Sequence, residues 1–505
     1  MISAFANSFK IPELRKRILF TLLMLVVVQI GTHITLPGVD PVVVHEWVEY
    51  SKQQAMKGEG GGAAFAQLLN VFSGGGIAKC ALFALGIMPY ISASIMMQLL
   101  TAVVPRLGKL AKEEGGRQRI TQLTRYAAIA LCLVQGWMMV GGLLNPSQNI
   151  LLPQLGEFLE QTRNILIPHS GLQFQLIAVL TMTAASMLLM WMGDQITERG
   201  VGNGMSLIIS ANILTALPGA LVQVWKTYIT GDQDTSLKAL GLVMLLALLL
   251  AVIAGVVAIT QAARRVSIQY AKRQMGRKVV GGQSTYLPLK INYAGVMPII
   301  FAQAIILFPT WIATTLAGAS AWGAKLQNLF SHTSIWYYVL DAILIFFFSY
   351  FWVATMFQPT QISEDLKKNG GYIPGVRPGK PTADFLDYTM SRLTFAGAIF
   401  LVIIAVLPTI ISNWAGVTPT VSQFFGGTSL LILVGVLLDM MRQIETHLLQ
   451  KHYDGFLRKG RIRGRFERQG AETGGIAGGN ITWLLILCAV IIVGAAMFAF
   501  SGAGQ

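Results

Sequence analysis

Histidines, cysteines and glycine-rich strings are the first places to look for chemistry in this 505-residue chain. The six histidines are His33, His45, His169, His332, His447 and His452. Even the nearest pair, His447 and His452, is spaced off one helical face, so metal-ligand spacing is missing. Cys80, Cys132 and Cys488 all sit inside apolar runs and read as buried thiols, neither a disulfide framework nor a metal cluster. Gly200-Val-Gly-Asn-Gly204 joins two apolar runs and follows no strand, so it reads as a turn or helix cap and not as a nucleotide cradle. Gly379-Lys380 is followed by Pro381 and lacks the upstream glycine of a phosphate-binding Walker loop. No Ser-His-Asp or Cys-His arrangement is suggested. The expectation is a protein that is not an enzyme, with no metal and no cofactor.

The elements that would have to position any site are membrane helices. The chain is 54% apolar and only 12% charged, against about 25% charged residues in soluble proteins. Apolar runs of spanning length fall at roughly 18–36, 77–104, 126–144, 174–192, 204–225, 237–260, 293–318, 335–357, 393–412, 428–441 and 482–500. The run near Ile18 is long enough to stay as a span, with no small-residue cleavage site after it. Most of the 38 Lys and Arg fall in alternate connections, those around Arg15, Arg117, Arg199, Arg265, Arg377 and Arg463. By the positive-inside rule the N-terminus is cytoplasmic, and the formal charge of +15 is mainly an orientation signal. Asp194, Asp341 and Asp439 are expected at helix ends, leaving the middles of the spans nearly free of ionisable groups. That argues against an ion-coupled carrier, although an inverted-repeat secondary transporter stays as the alternative.

One stretch departs from the pattern of plain spans. Ala64 to Ser73 is a charge-free apolar piece of about 15 Å if helical, half of what a bilayer needs. Gly74, Gly75 and Gly76 follow, and then the run Ile77 to Val104, broken once by Pro89. A half-length helix hinged by glycine must be buried by neighbours or line a cavity. Two connections also exceed what orientation requires. Residues 261–292 alternate around Val266, Ile268 and Tyr270, which predicts a short strand or hairpin. Residues 358–392 hold a turn-rich tip, Gly370 to Pro381, presenting Arg377. By charge alone both loops suit anionic lipid as well as an acidic or RNA-containing partner.

Specific strings carry a resemblance. Phe83-Ala-Leu-Gly-Ile-Met-Pro-Tyr-Ile-Ser-Ala-Ser94, Gly193-Asp-Gln-Ile-Thr-Glu-Arg-Gly-Val-Gly-Asn-Gly204, Tyr270 to Arg277, Gln283 to Lys290, Pro374 to Gly379 and Gly426 to Leu431 resemble, in order, motifs of the SecY family of protein-conducting channels. The resemblance implies an all-α polytopic membrane protein with ten helices in two pseudo-symmetric five-helix halves. These halves are residues 1–218 and 219–450, with 451–505 as a basic linker and an extra, eleventh transmembrane helix.

It also implies a pore ring at Ile87, Ile91, Met205, Ile209, Ile300 and Ile432, closed by a plug at Ala64, Phe65, Leu68, Leu69, Asn70, Val71, Phe72 and Ser73 hinged at Gly74, Gly75 and Gly76. Ile87/Ile91 and Met205/Ile209 are each i,i+4 pairs, so each pair shares a helix face. A lateral gate to lipid would lie between the second and third spans and the seventh and eighth. The implied docking residues for a SecA ATPase motor or the ribosome are Arg264, Arg265, Lys272, Arg273, Arg277, Lys278 and Arg377. The other implied partners are SecE- and SecG-type small membrane subunits, unfolded secretory and membrane polypeptides, and membrane lipids, with no direct DNA binding. The implied location is the bacterial cytoplasmic membrane.

Overall fold

The computed structural model describes residues 11–57, 70, 72–144, 155–162, 165–168, 171–225, 235–270, 273–275, 278–280, 284–317, 323, 325–326, 329, 334–415 and 427–458. The chain is an all-α polytopic membrane protein with two small sheets in its loops. Ten of the eleven expected runs coincide with helices in order. These are α1 (Pro12–Gly31), α3 (Met88–Val103), α5 (Gly116–Leu144), α7 (Leu172–Arg199), α8 (Gly204–Trp225), α9 (Thr235–Gln261), α10 (Met297–Ala317), α11 (Ile335–Met356), α13 (Lys380–Ala415) and α14 (Thr428–Arg458). Shorter helices α2 (Pro41–Lys57), α4 (Pro105–Lys112), α6 (Leu155–Thr162) and α12 (Pro359–Lys368) lie between them. The expected eleventh span lies outside the described residues.

Proline sets several helix starts, because its missing N–H costs nothing in the first turn and its φ is already helical. It stands in the first turn of α1, α2, α3, α4 and α12. This corrects the expectation of one spanning helix from Ile77 to Val104. Residues 73–87 run as turns, with a bridge residue at Ala81, and helix begins only at Met88, with Pro89 as its second residue. At its far end the helix breaks by 105° into α4, where Pro105 opens a new helix.

The chain divides into two compact units. The first comprises Met1–Ala93, Thr124–Ala254 and Pro408–Gln505. Here α2 and α6 pack Trp47, Tyr50 and Phe158 together, with ring centroids 5.2 to 6.2 Å apart. The same core takes in Leu36, Val43, Cys80, Phe174 and Met182. A separate cluster joins Leu14 and Ile18 of α1 to Val201 and to Ile444 of α14. On α1 and α7 the opposite faces leave Leu22, Leu23, Val26, Leu176, Leu180 and Trp191 exposed, as helices bathed in lipid require.

The second unit comprises Ser94–Leu123 and Gly255–Leu407. Its helices α10 and α11 pack through Phe301, edge-on to Phe348 at 5.7 Å. Its loops form β1 (Ala263–Tyr270), β2 (Arg273–Met275), β3 (Lys278–Val280), β4 (Ser284–Lys290) and β5 (Gly371–Tyr372). β1 pairs antiparallel with β4, Val266 opposite Leu287, and β2 pairs with β3, so the expected hairpin is present. Asp341 departs from the expected helix-end position. It sits two turns inside α11 and is only 5% exposed.

Candidate functional site

The glycine hinge is built from backbone bonds that only a tight turn allows. Asn70 closes it: its carbonyl accepts from the Gly75 N–H at 2.7 Å and from the Ser73 hydroxyl at 3.1 Å. Its side-chain Oδ1 accepts from the Ala78 N–H at 3.0 Å. Gly74 and Gly75 have φ of +67° and +83°, a region that L side chains rarely adopt. The turns beyond the hinge are pinned to the end of α1: Leu36 N–H donates to the Cys80 carbonyl at 3.0 Å, and Leu82 N–H to the Ile34 carbonyl at 2.7 Å. Lys79 adds a side-chain tie, its ammonium donating to His33 Nε2 at 2.9 Å.

The short segment before the hinge is held from two sides. Asn212 of α8, 3% exposed, donates from Nδ2 to the Phe72 carbonyl at 2.9 Å. Its Oδ1 accepts from Gln29 Nε2 of α1 at 3.2 Å. On the other side Gly86 packs against Ser73, with room for a Cβ only 3.6 Å from the Ser73 Cα. Phe72 and Ser73 are themselves buried.

Two expected pore-ring residues flank this contact. Ile87 follows Gly86 directly, and Ile209 lies one turn before Asn212 on α8; both are buried. Ile91 is half-buried one turn into α3, its N–H donating to the Ile87 carbonyl at 3.1 Å. α8 packs along α14, which makes the helix of Ile209 a neighbour of the helix of Ile432, itself 1% exposed. Met205 is half-buried and lays its thioether over Gly193 of α7, 2.5 Å from where a Cβ on that glycine would sit. Ile300 is buried in α10 of the second unit. Of the plug residues, Asn70, Phe72 and Ser73 are described. Ala64, Phe65, Leu68, Leu69 and Val71 lie outside the described residues.

Asn212 and Gln29 carry no charge, so ionisable groups in the spans do not point to them. An amide side chain in the middle of an apolar run needs a partner as surely as a charge does, and that was the available signal.

The turn between α7 and α8 fixes the helix carrying Met205 and Ile209. Asn203 caps α8, its Oδ1 accepting from the N–H groups of Met205 at 3.1 Å and Ser206 at 3.3 Å. Thr197 donates to the Gly193 carbonyl at 2.9 Å and accepts from the Gly204 N–H at 2.8 Å. Thr21 of α1 accepts from the Val201 N–H at 3.1 Å, and Gln443 of α14 from the Gly202 N–H at 2.9 Å. The glycine-rich string is thus a helix cap clamped by two other helices. At the end of α7, Asp194 pairs with Arg125 at 2.7 Å.

In the second unit the two long loops share one sheet. β5 extends β1 on the side opposite β4, with Gln269 opposite Tyr372, and the Tyr372 hydroxyl donates to Gln269 Oε1 at 3.1 Å. Ile373 is buried with Val266, Leu289 and Leu386 beneath the tip. Thr382 ties the tip, its hydroxyl donating to the Arg377 carbonyl at 2.8 Å, while Ser363 of α12 donates to the Gly379 carbonyl at 2.5 Å. Arg264, Arg265 and Arg377 are exposed. Arg273 and Lys278 fall in β2 and β3, and Lys272 and Arg277 lie outside the described residues.

Comparison with known proteins supplies the remaining context. The SecY family profile matches residues 81–441. The protein translocase subunit SecY of Streptomyces scabiei is 41% identical over 460 residues, covering 91% of this chain and all of that protein. Among solved structures, one described as the structure of a protein conducting channel matches with a TM-score of 0.55 at 16% identity, covering 87% of this chain and 93% of that one. Another, whose description states that the plug domain of the SecY protein stabilizes the closed state of the translocation channel, matches at 0.54 and 17% identity over the same shares. At these identities the two structures show a common fold.

Proposed function

This chain belongs to the SecY family, and on that premise we propose that it is the pore-forming subunit of a protein-conducting channel. The observation that carries the reading is the buried segment Phe72–Ser73, seated between Gly86 and Asn212 beside Ile87 and Ile209, with a glycine turn after it. Such a segment fits a plug end: it fills space next to apolar side chains and is followed by the positive-φ glycines Gly74 and Gly75. Ile87, Ile91, Met205, Ile209, Ile300 and Ile432 form the constriction. Aliphatic side chains exclude water and ions by dewetting, yet they hold no strong bond to a chain sliding past.

The channel is passive. Unfolded secretory polypeptides cross it, and apolar segments leave sideways into the bilayer. Partition decides their fate, since central Leu or Ile favours lipid while Asp, Lys or Arg opposes it by about 3 kcal/mol each. The energy comes from a cytoplasmic motor, a SecA-type ATPase or the ribosome, docked on the sheet that presents Arg264, Arg265 and Arg377. SecE- and SecG-type subunits complete the assembly in the bacterial cytoplasmic membrane, with the N-terminus inside. Residues 1–218 and 219–450 form the two halves.

The test is Arg377→Glu in inverted membrane vesicles supplied with motor, ATP and a secretory precursor. Protease-protected precursor is expected to vanish, while co-purification with the small subunits is unchanged. Normal export by this variant would refute the docking assignment.

A further inference from the structure

Asn212 is a polar side chain in the middle of an apolar helix, and its amide links the plug end to α1. Its Nδ2 donates to the Phe72 carbonyl, and its Oδ1 is held by Gln29 of α1 at 3.2 Å. A Cβ on Gly74 would sit 2.9 Å from that Oδ1, so the glycine turn is packed directly against the amide. Three separate parts of the first unit, α1, α8 and the plug end, therefore meet at one side chain.

We propose that Asn212 is a latch: a positioning residue that holds the plug end in place through the Phe72 carbonyl, with Gln29 fixing the orientation of its amide. This rests on the channel reading above. The physical basis is the difference between a dry and a wet environment. With the plug seated, the Asn212 amide and the Phe72 carbonyl are both buried, and each satisfies the other. If the plug end moved while the surroundings stayed dry, the Asn212 Nδ2 and the Phe72 carbonyl would both be orphaned, a strong bias toward the seated state. Once a polypeptide or water fills the space, the same groups are hydrated and the bias disappears. A latch of this kind resists spontaneous opening and yields when the pore is occupied. Gln29 matters because an amide can turn by 180°. Its donation to Oδ1 points the Nδ2 of Asn212 at Phe72.

The experiment uses the purified channel complex in planar bilayers, with potassium chloride conductance as the readout and deletion of residues 64–73 as the reference for an unplugged pore. Asn212→Leu keeps the side-chain size and removes both bonds. It is expected to raise the resting open fraction on the order of ten-fold, the scale of one buried hydrogen bond lost with its partner orphaned. Gln29→Leu leaves the Phe72 bond in place and is expected to have a smaller effect. The double variant should fall short of the product of the two, since both act through one amide.

A purely structural role for Asn212 predicts lower thermal stability of the complex with unchanged conductance per folded channel, and that result overturns the latch. If the deletion opens the pore while a folded Asn212→Leu complex stays closed, the latch fails and the plug reading stands. If the deletion leaves conductance at the resting level, the plug reading itself fails, and the latch with it.

Discussion

Gly204 offers a test in which two physical effects have opposite signs. It is the first residue of α8, and substitution of a helical glycine by alanine ordinarily stabilises by up to about 1 kcal/mol. Here the added Cβ would overlap the Gly193 carbonyl oxygen and come within 2.8 Å of the Ile196 Cβ. Carbon atoms rest at about 3.5–4.0 Å, so the two helices would have to part by roughly 1 Å. Little can give: Gly193 is met at its backbone, Ile196 is fully buried, and Thr197 ties both sides of the turn. Overpacking of this kind costs about 1–3 kcal/mol, which exceeds the propensity gain. The expected net loss for Gly204→Ala is about 1–2 kcal/mol, roughly a 5- to 30-fold fall in the folded-to-unfolded ratio.

The assay is the fraction of detergent-solubilised complex that survives a heating series, read by fluorescence-detected size exclusion. Gly141→Ala is the control. It lies inside α5 with nothing within 4 Å of its added Cβ, so the same change should be neutral or stabilising by about 0.5–1 kcal/mol. A Gly204→Ala complex as heat-resistant as the parent would refute the close-contact argument.

Two further substitutions probe supports away from the plug. Thr21→Val orphans the buried Val201 N–H and should destabilise by about 1–3 kcal/mol in the same heating series, whereas Thr21→Ser, which keeps the oxygen, should behave nearly as the parent. Ile373→Ala removes a buried side chain from beneath the Arg377 tip at a local cost of about 2–4 kcal/mol. Limited proteolysis should then cut within residues 358–392 sooner, with the membrane spans still protected.

The spans were legible because a bilayer forces long apolar runs, and the hairpin because β1 alternates around Val266 and Ile268. The partner of that hairpin was not legible. β5 is two residues long, and its pairing with Gln269 and Tyr270 is decided by tertiary packing around Ile373. The run from Ile77 reads as helix in the sequence but folds as turns up to Ile87, because hydrophobicity alone does not distinguish a buried turn from a span. Pro89, taken as a break, was the better clue to where the helix starts. Asp341 reads as a helix-end residue in the sequence. The expected run and the observed helix both start at 335, with Ser334 accepting from the Trp336 N–H, so the run's own bounds put Asp341 two turns inside. The string Gly200–Gly204 is legible as a cap, but its clamps, Thr21 and Gln443, lie far off in the sequence.

The length of α13 has a mechanical consequence. Its 36 residues span about 54 Å, against a hydrocarbon core of about 30 Å. Standing upright, it would leave about 24 Å of helix outside the bilayer, and its first turn continues directly from Arg377 at the tip. A push on that tip loads a rigid rod along its axis, where a helix is stiff, while the sheet of β4, β1 and β5 braces the rod against buckling sideways. On the docking proposed above, thrust at the loop would reach membrane depth as a displacement, with little of it lost in bending.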